Sequence, residues 1–273
     1  MLTAQPCDIG FVFAHSSEQG CTEDLLGELQ YFEADGLPIR LGTLHGRRIA
    51  IATSGPGRAA AAEACRTLIA GHRPQWLISA GFCGGLVPQL RRNDIVAATS
   101  FFVPATQPEL LLPDIAQALS AGIPAPTHQG RLVTVDHIVA QSNEKHALGE
   151  ATGAIACEME SDAVVAACRE QGVACLVLRV VSDPVDEELP ADLEPLLQKQ
   201  STARLFGSVV GTLWRRPASA KDMFRLKEAA LIAGDTLAKY LSEVVAKLPL
   251  EPRIREAPPK PQPELGREER PSP

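Results

Sequence analysis

Three carboxylates, Glu158, Glu160 and Asp162, stand within five residues in the segment 156–167, ACEMESDAVVAA, between a strand-like apolar run and an alanine-rich helical run. Burying a carboxylate is costly unless charge or hydrogen bonds compensate it. Two readings follow: the acids serve the N-terminus of the next helix, with Ser161 as its cap, or they hold a ligand. Strand alternation would put Glu158 and Glu160 on one face and Met159 on the other. A second group is Arg179 with Ser182-Asp183, at the exit of the apolar run ACLVLRVVSD. Asp183 before Pro184 either caps a turn or acts as an acid, since desolvation raises a carboxyl pKa towards neutrality. The third is Gly81-Phe82-Cys83-Gly84-Gly85, either a tight turn or a place where backbone approaches a flat ligand or an anion.

The surrounding elements must bring these groups to one place. Residues 8–14 read as a first buried strand, and two β segments follow at 31–44 and 48–54 with Gly46 at the turn between them. SGPGRAAAAEACRTLIAGHRP is a glycine turn feeding a helix that stops near Gly71. QWLISAGFCGGL is a strand running into a glycine-rich loop, and NDIVAATSFF is another strand. Strand, helix, strand at this rhythm implies parallel pairing, with ligands at the strand ends. Further on come a short helix at 114–120, a strand at 131–136, helices at 143–150 and 162–171, and the strand carrying Arg179. Residues 202–214 and the amphipathic segment 221–248 read as helices covering the sheet. The fold class is therefore α/β, with one folded domain over residues 1–248 and a proline-rich, disordered tail at 249–273.

Composition narrows the function. With 273 residues and 45% hydrophobic content the chain can bury a large core. Its 33 acidic and 26 basic residues, net charge −7, give no footprint for nucleic acid or an anionic membrane. No window reaches the apolar length of a membrane span, and the N-terminus lacks a leader pattern, so the chain reads as soluble and unprocessed. Seven cysteines form no CxxC pair, which points to a reducing cytoplasm and away from structural zinc. No metal or cofactor is implied, because no ligand spacing is present. A small molecule is the expected partner. A nicotinamide oxidoreductase fails on spacing, as no G-x-G-x-x-G follows the first strand.

The motifs SGPGRAAAAEA, SAGFCGGL, CEMESDAVVAAC and LRVVSD, in this order, resemble those of the nucleoside phosphorylase superfamily, especially methylthioadenosine/S-adenosylhomocysteine nucleosidases. The resemblance spans about residues 8–245. Within it, TVDHIVAQSNEKHALGEATGAIACEMES, LRVVSDPVDEELP and LWRRPASAKDMFRLKEAA look most like the hopanoid-associated phosphorylases that act on adenosylhopane. It implies a three-layer fold with a mixed, largely parallel twisted central sheet flanked by helices, and a homo-oligomer. It implies cleavage of the N-glycosidic bond of an adenosine-type nucleoside, with water or phosphate as acceptor.

Carried onto this chain, the resemblance makes Asp183 the acid that protonates N7 of the leaving purine. Glu160 binds the ribose 2′- and 3′-hydroxyls, Met159 packs on the sugar, and Arg179 holds the nucleophilic water or approaches phosphate. Glu158, Ser182, Gly81 and Phe82 complete the substrate-binding set. The nucleosidases' water-activating glutamate has Glu18 as its nearest counterpart here, with Ser16 in the expected place. Phe82 replaces a loop serine, and Ser79 an arginine of hexameric phosphorylases. Arg58 with Gly57, at a helix N-terminus, is a candidate phosphate site. Residues 100–105 and 110–112 are candidates for a 5′ pocket or for ordinary packing. The alternative is a nucleoside-binding protein of the same fold that has lost turnover.

Overall fold

The computed structural model describes residues 5–102, 110–111, 126–189 and 217–250. The elements are β1 (Ile9–Phe13), α1 (Ser16–Glu23), β2 (Gly27–Ala34), β3 (Leu37–Leu44), β4 (Arg47–Thr53), α2 (Arg58–His72), β5 (Trp76–Gly85) and β6 (Ile95–Phe102). They continue as β7 (Leu110–Leu111), β8 (Thr127–Thr134), α3 (Ser142–Thr152), β9 (Ala156–Glu158), α4 (Ser161–Glu170), β10 (Ala174–Asp183) and α5 (Pro217–Lys247). The expected helices at 114–120 and 202–214, and the tail from residue 251, lie outside the described residues.

The ten strands among the described residues belong to one mixed sheet, giving a single α/β domain. Apolar runs that are buried on both faces, such as IGFVF in β1, pair in parallel at its centre, with β4 and β5 on either side. The β2–β3–β4 wing is antiparallel. Residues 31–44, expected as one segment, break at Asp35-Gly36, where both residues have positive φ, as a two-residue hairpin turn requires. Beyond Ser79, β5 leaves β1 and stays paired to β10 as far as Gly84, while Gly84 and Gly85 also pair with β9. The order β10-β6-β8-β9-β5, with β5 paired back to β10, closes this end of the sheet into a ring. Closure removes two edges and brings β5, β9 and β10 to one rim.

Helices α2 and α4 cover one face through Ala61, Ala64, Leu68, Val164 and Cys168. The other face is covered by α5, whose Ala233, Leu237, Tyr240, Leu241 and Val244 recur at helical spacing, with Leu248 just beyond its end. The packed chain runs on past residue 248: Trp76 Nε1 donates to the Pro249 carbonyl at 2.8 Å, and Leu250 packs on the core. Among the described residues no helix is long and apolar enough to cross a membrane. All seven cysteines are free thiols.

Candidate active site

The two glutamates one residue apart have different fates because β9 ends between them. Glu158 is the last residue of β9, and Glu160 is the N-cap of α4 with φ −134° and ψ −28°, so strand alternation no longer applies. The Glu158 carboxylate is wholly engaged. Its Oε2 accepts from the backbone N–H of Glu160 (3.0 Å) and Ser161 (2.8 Å), from Ser161 Oγ (2.7 Å) and from Arg179 Nη2 (3.0 Å). Its Oε1 accepts from Thr134 Oγ1 at 2.6 Å. Burial opposes its ionisation, but the Arg179 guanidinium and these donors outweigh burial and hold the carboxyl below its usual range. Capping of α4 thus falls to the side chain of Glu158, three residues before the first helical residue, and not to that of Ser161.

Glu160 is left with one described partner, the N–H of Gly57 at 2.9 Å. Gly57 can present that N–H because it sits at φ +95°, where side chains are rarely tolerated. Burial, then the neighbouring Glu158 carboxylate, push the Glu160 pKa up to about 7. A partly buried carboxylate with spare acceptor capacity suits a ligand that brings hydroxyl donors.

Glu18 arrives from α1, where it occupies the third helical position and accepts the His15 N–H at 3.0 Å and the Ala14 N–H at 3.2 Å. Its other oxygen accepts the Phe82 N–H at 2.9 Å, which ties α1 to β5. A Cβ at Gly81 would lie 2.7 Å from Glu18 Oε1, so Gly81 makes room for this carboxylate. Arg179, 3% exposed, donates to Ser79 Oγ at 3.0 Å and also to Ser161 Oγ. Burial works against its charge, and Glu158 and Glu18 beside it outweigh that, so its pKa rises. Its Nε, also buried, has no protein partner. Glu18, Arg179, Glu160 and Ser79 together line a void of about 10 Å³. That is about the space of one water.

The void adjoins a cavity of about 410 Å³ at the ring's rim, with Glu18, Phe82, Met159, Glu160, Ser182 and Asp183 in its wall. The β10 register slips by one residue between Val181 and Asp183, which aims the Asp183 side chain afresh. Asp183 is 5% exposed; its Oδ2 lies 2.6 Å from Lys145 Nζ, and its Oδ1 accepts from Ser182 Oγ at 2.5 Å. Burial raises its pKa, against the pull of the Lys145 ammonium. The Ser182 hydroxyl can instead donate to the Cys83 carbonyl at 3.2 Å, leaving Ser182 Oγ to accept from a protonated Asp183. The local bonding therefore serves both protonation states.

The family model of the phosphorylase superfamily matches residues 8–211. The chain belongs to that superfamily. An aminodeoxyfutalosine nucleosidase of Helicobacter pylori is 26% identical over 227 residues, covering 75% of this chain and 98% of the relative. A 5′-methylthioadenosine/S-adenosylhomocysteine nucleosidase of Shewanella sp. (strain MR-7) is 28% identical over 185 residues, 60% of this chain and 78% of the relative. The fold matches that of the Helicobacter pylori nucleosidase solved with 5′-methylthioadenosine in its active site, with TM-score 0.69 and 22% identity over 89% of this chain and 100% of that one.

Several residues expected at the site of this superfamily member sit elsewhere or do other work. Arg58, a candidate phosphate ligand, lines neither space. Its Nε donates to both Asp162 oxygens at 3.0 Å, its Nη1 to Asp136, and its Nη2 to the Thr134 carbonyl at 2.7 Å, so it ties α2 to α4 and β8. The Gly57 N–H is taken up by the Glu160 carboxyl. Gly81 is outside the cavity wall, and Ser16 is exposed on α1. Ser100, Phe101 and Phe102 do not line the cavity, while residues 103–109 and 112 lie outside the described residues. Sequence reasoning missed Lys145, Thr134 and the partnership of Ser79 and Ser161 with Arg179. Each is an ordinary polar residue in its own segment, and only the ring's closure makes them neighbours.

Proposed function

We propose that this protein hydrolyses the N-glycosidic bond of an adenosine-type nucleoside and releases adenine. The observation that carries this reading is the one-water void between Glu18 and Arg179, beside a cavity walled by Glu160 and Asp183. Asp183 gives its proton to purine N7 as the C1′–N9 bond breaks and its electron pair leaves with the base. The ribosyl group gains positive charge, which the nearby carboxylates stabilise. Glu160 accepts hydrogen bonds from the ribose diol, and Met159 in the same wall packs on the sugar. Glu18 takes a proton from the water that attacks C1′, and Arg179 orients that water through its spare donor.

Water is favoured over phosphate for two reasons. The void is too small for a tetrahedral oxyanion, and Glu18, Glu158 and Glu160 crowd one arginine there, which repels an anionic nucleophile. The position of Glu18 also supports turnover over a binding-only protein. Val135, Ile138, Val139 and Leu189 give the cavity an apolar side, which favours a nucleoside with an apolar 5′ substituent. The test is adenine release from methylthioadenosine, S-adenosylhomocysteine and adenosine, with and without phosphate, in wild type and Asp183→Asn. Phosphate-independent release that collapses in the variant is expected. Release that requires phosphate would overturn the hydrolytic assignment, and full activity in Asp183→Asn would overturn the acid.

A further inference from the structure

Lys145 on α3 is 0% exposed, and a buried ammonium is retained only when charge and hydrogen bonds compensate it. All three of its donors are used: Asp183 Oδ2 at 2.6 Å, the Glu187 carbonyl at 2.6 Å and the Pro184 carbonyl at 3.1 Å. Asp183 lines the cavity and Lys145 does not, so the lysine holds the carboxyl from the side away from the substrate.

We propose that Lys145 is a positioning residue that fixes Asp183 and sets its acid strength, making the proton transferable at the moment the glycosidic bond breaks. The proposal rests on Asp183 being the leaving-group acid. The other groups around Asp183 are the Ser182 hydroxyl, the Cys83 thiol of β5, the Cys157 thiol of β9, and Glu187 after β10, which is paired with Arg92. Burial and Glu187 both favour the protonated carboxyl. Among these groups, Lys145 is the cation in direct contact with it. When the proton passes to N7, Asp183 becomes a buried carboxylate, and the Lys145 ammonium neutralises it as it forms. Without that charge the carboxyl would keep its proton to higher pH and give it up reluctantly. Lys145 also ties the chain at 184–187 to α3, which holds the end of β10 in place.

The experiment is infrared titration of the protonated Asp183 carboxyl, assigned as the band lost in Asp183→Asn, beside rate–pH profiles for adenine release. Lys145→Gln removes the charge but keeps a donor for the loop carbonyls, and Lys145→Arg keeps the charge. In Lys145→Gln the carboxyl should titrate about 1–3 units higher, kcat should fall and its alkaline limb move up with the titration, and KM should stay within about twofold because Lys145 does not touch substrate. Lys145→Arg should stay near the wild-type titration. A purely structural lysine predicts lower activity with the titration and the limb unmoved, and that result overturns the proposal. Should Lys145→Gln not fold, the wild-type titration decides: a carboxyl still protonated at about pH 9, the range of an uncompensated buried acid, overturns it. Because the infrared reading needs no turnover, failure of the nucleosidase assignment would leave wild type inactive without disturbing this test.

Discussion

The two ends of the site carry opposite charge balances. At the end proposed for the sugar, Glu18, Glu158 and Glu160 surround a single buried cation, Arg179. At the end proposed for the base, the Asp183 carboxyl faces the Lys145 ammonium. Cleavage makes opposite demands at the two ends. The ribosyl group becomes cationic, and excess carboxylate stabilises it more in the transition state than in the ground state. The purine must leave neutral, which needs an acid that can lose its proton without stranding a buried charge. The sugar end is itself divided: Glu158 accepts five protein hydrogen bonds and organises the turn, while Glu160 keeps capacity for a ligand.

Breaking the sugar end should have the largest effect. Glu18→Gln keeps an oxygen for one of its two sets of backbone donors and loses the base, so adenine release should fall about 10²–10⁴-fold without phosphate restoring it; steady-state rates on folded protein check this, and a loss below about tenfold would remove Glu18 from the water step. Glu158→Gln should act on stability first. It removes the carboxylate that, among the described residues, is hydrogen-bonded directly to the buried Arg179, and urea denaturation should register a loss of about 3–5 kcal/mol.

Glu160 gives a pH signature. Its folded pKa of about 7 lies above its ordinary 4.5, so the folded state binds the extra proton and stability falls as pH rises through that window. The change should be on the order of 3 kcal/mol, and Glu160→Gln should flatten it in denaturation curves taken across the window. Binding a diol favours the ionised form, so KM should rise as pH drops below about 7 in wild type and not in the variant. The smallest effect is expected at Arg58, a partly exposed tie between helices. Arg58→Ala should cost about 1 kcal/mol and leave adenine release, with or without phosphate, unchanged; a phosphate-dependent defect would restore Arg58 as an anion ligand.

Much of this was legible locally. The strands at 8–14 and 174–183 and the helix after SGPGR lie within a residue or two of their expected bounds, because continuous apolar runs and alanine-rich faces depend on near neighbours. The break at Asp35-Gly36 was also available, since Asp-Gly between apolar runs is a strong hairpin signal. The closure of β5 onto both β9 and β10 was not. It depends on pairings between segments about 70 to 100 residues apart, which no local pattern encodes.

Residue types along the chain, and their order, were enough to put Glu158, Glu160, Arg179 and Asp183 forward as chemistry. They left open which carboxylate is a cap and which a ligand. That choice belongs to Thr134, Ser161, Arg179 and Gly57, which come from four different elements, and at Asp183 it belongs to Lys145. The physical reason is that desolvation and Coulomb energies follow distance and burial in space. Two glutamates separated by one methionine are equivalent on paper, and become a strut and a carboxylate with spare acceptor capacity only when the folded chain has chosen their neighbours.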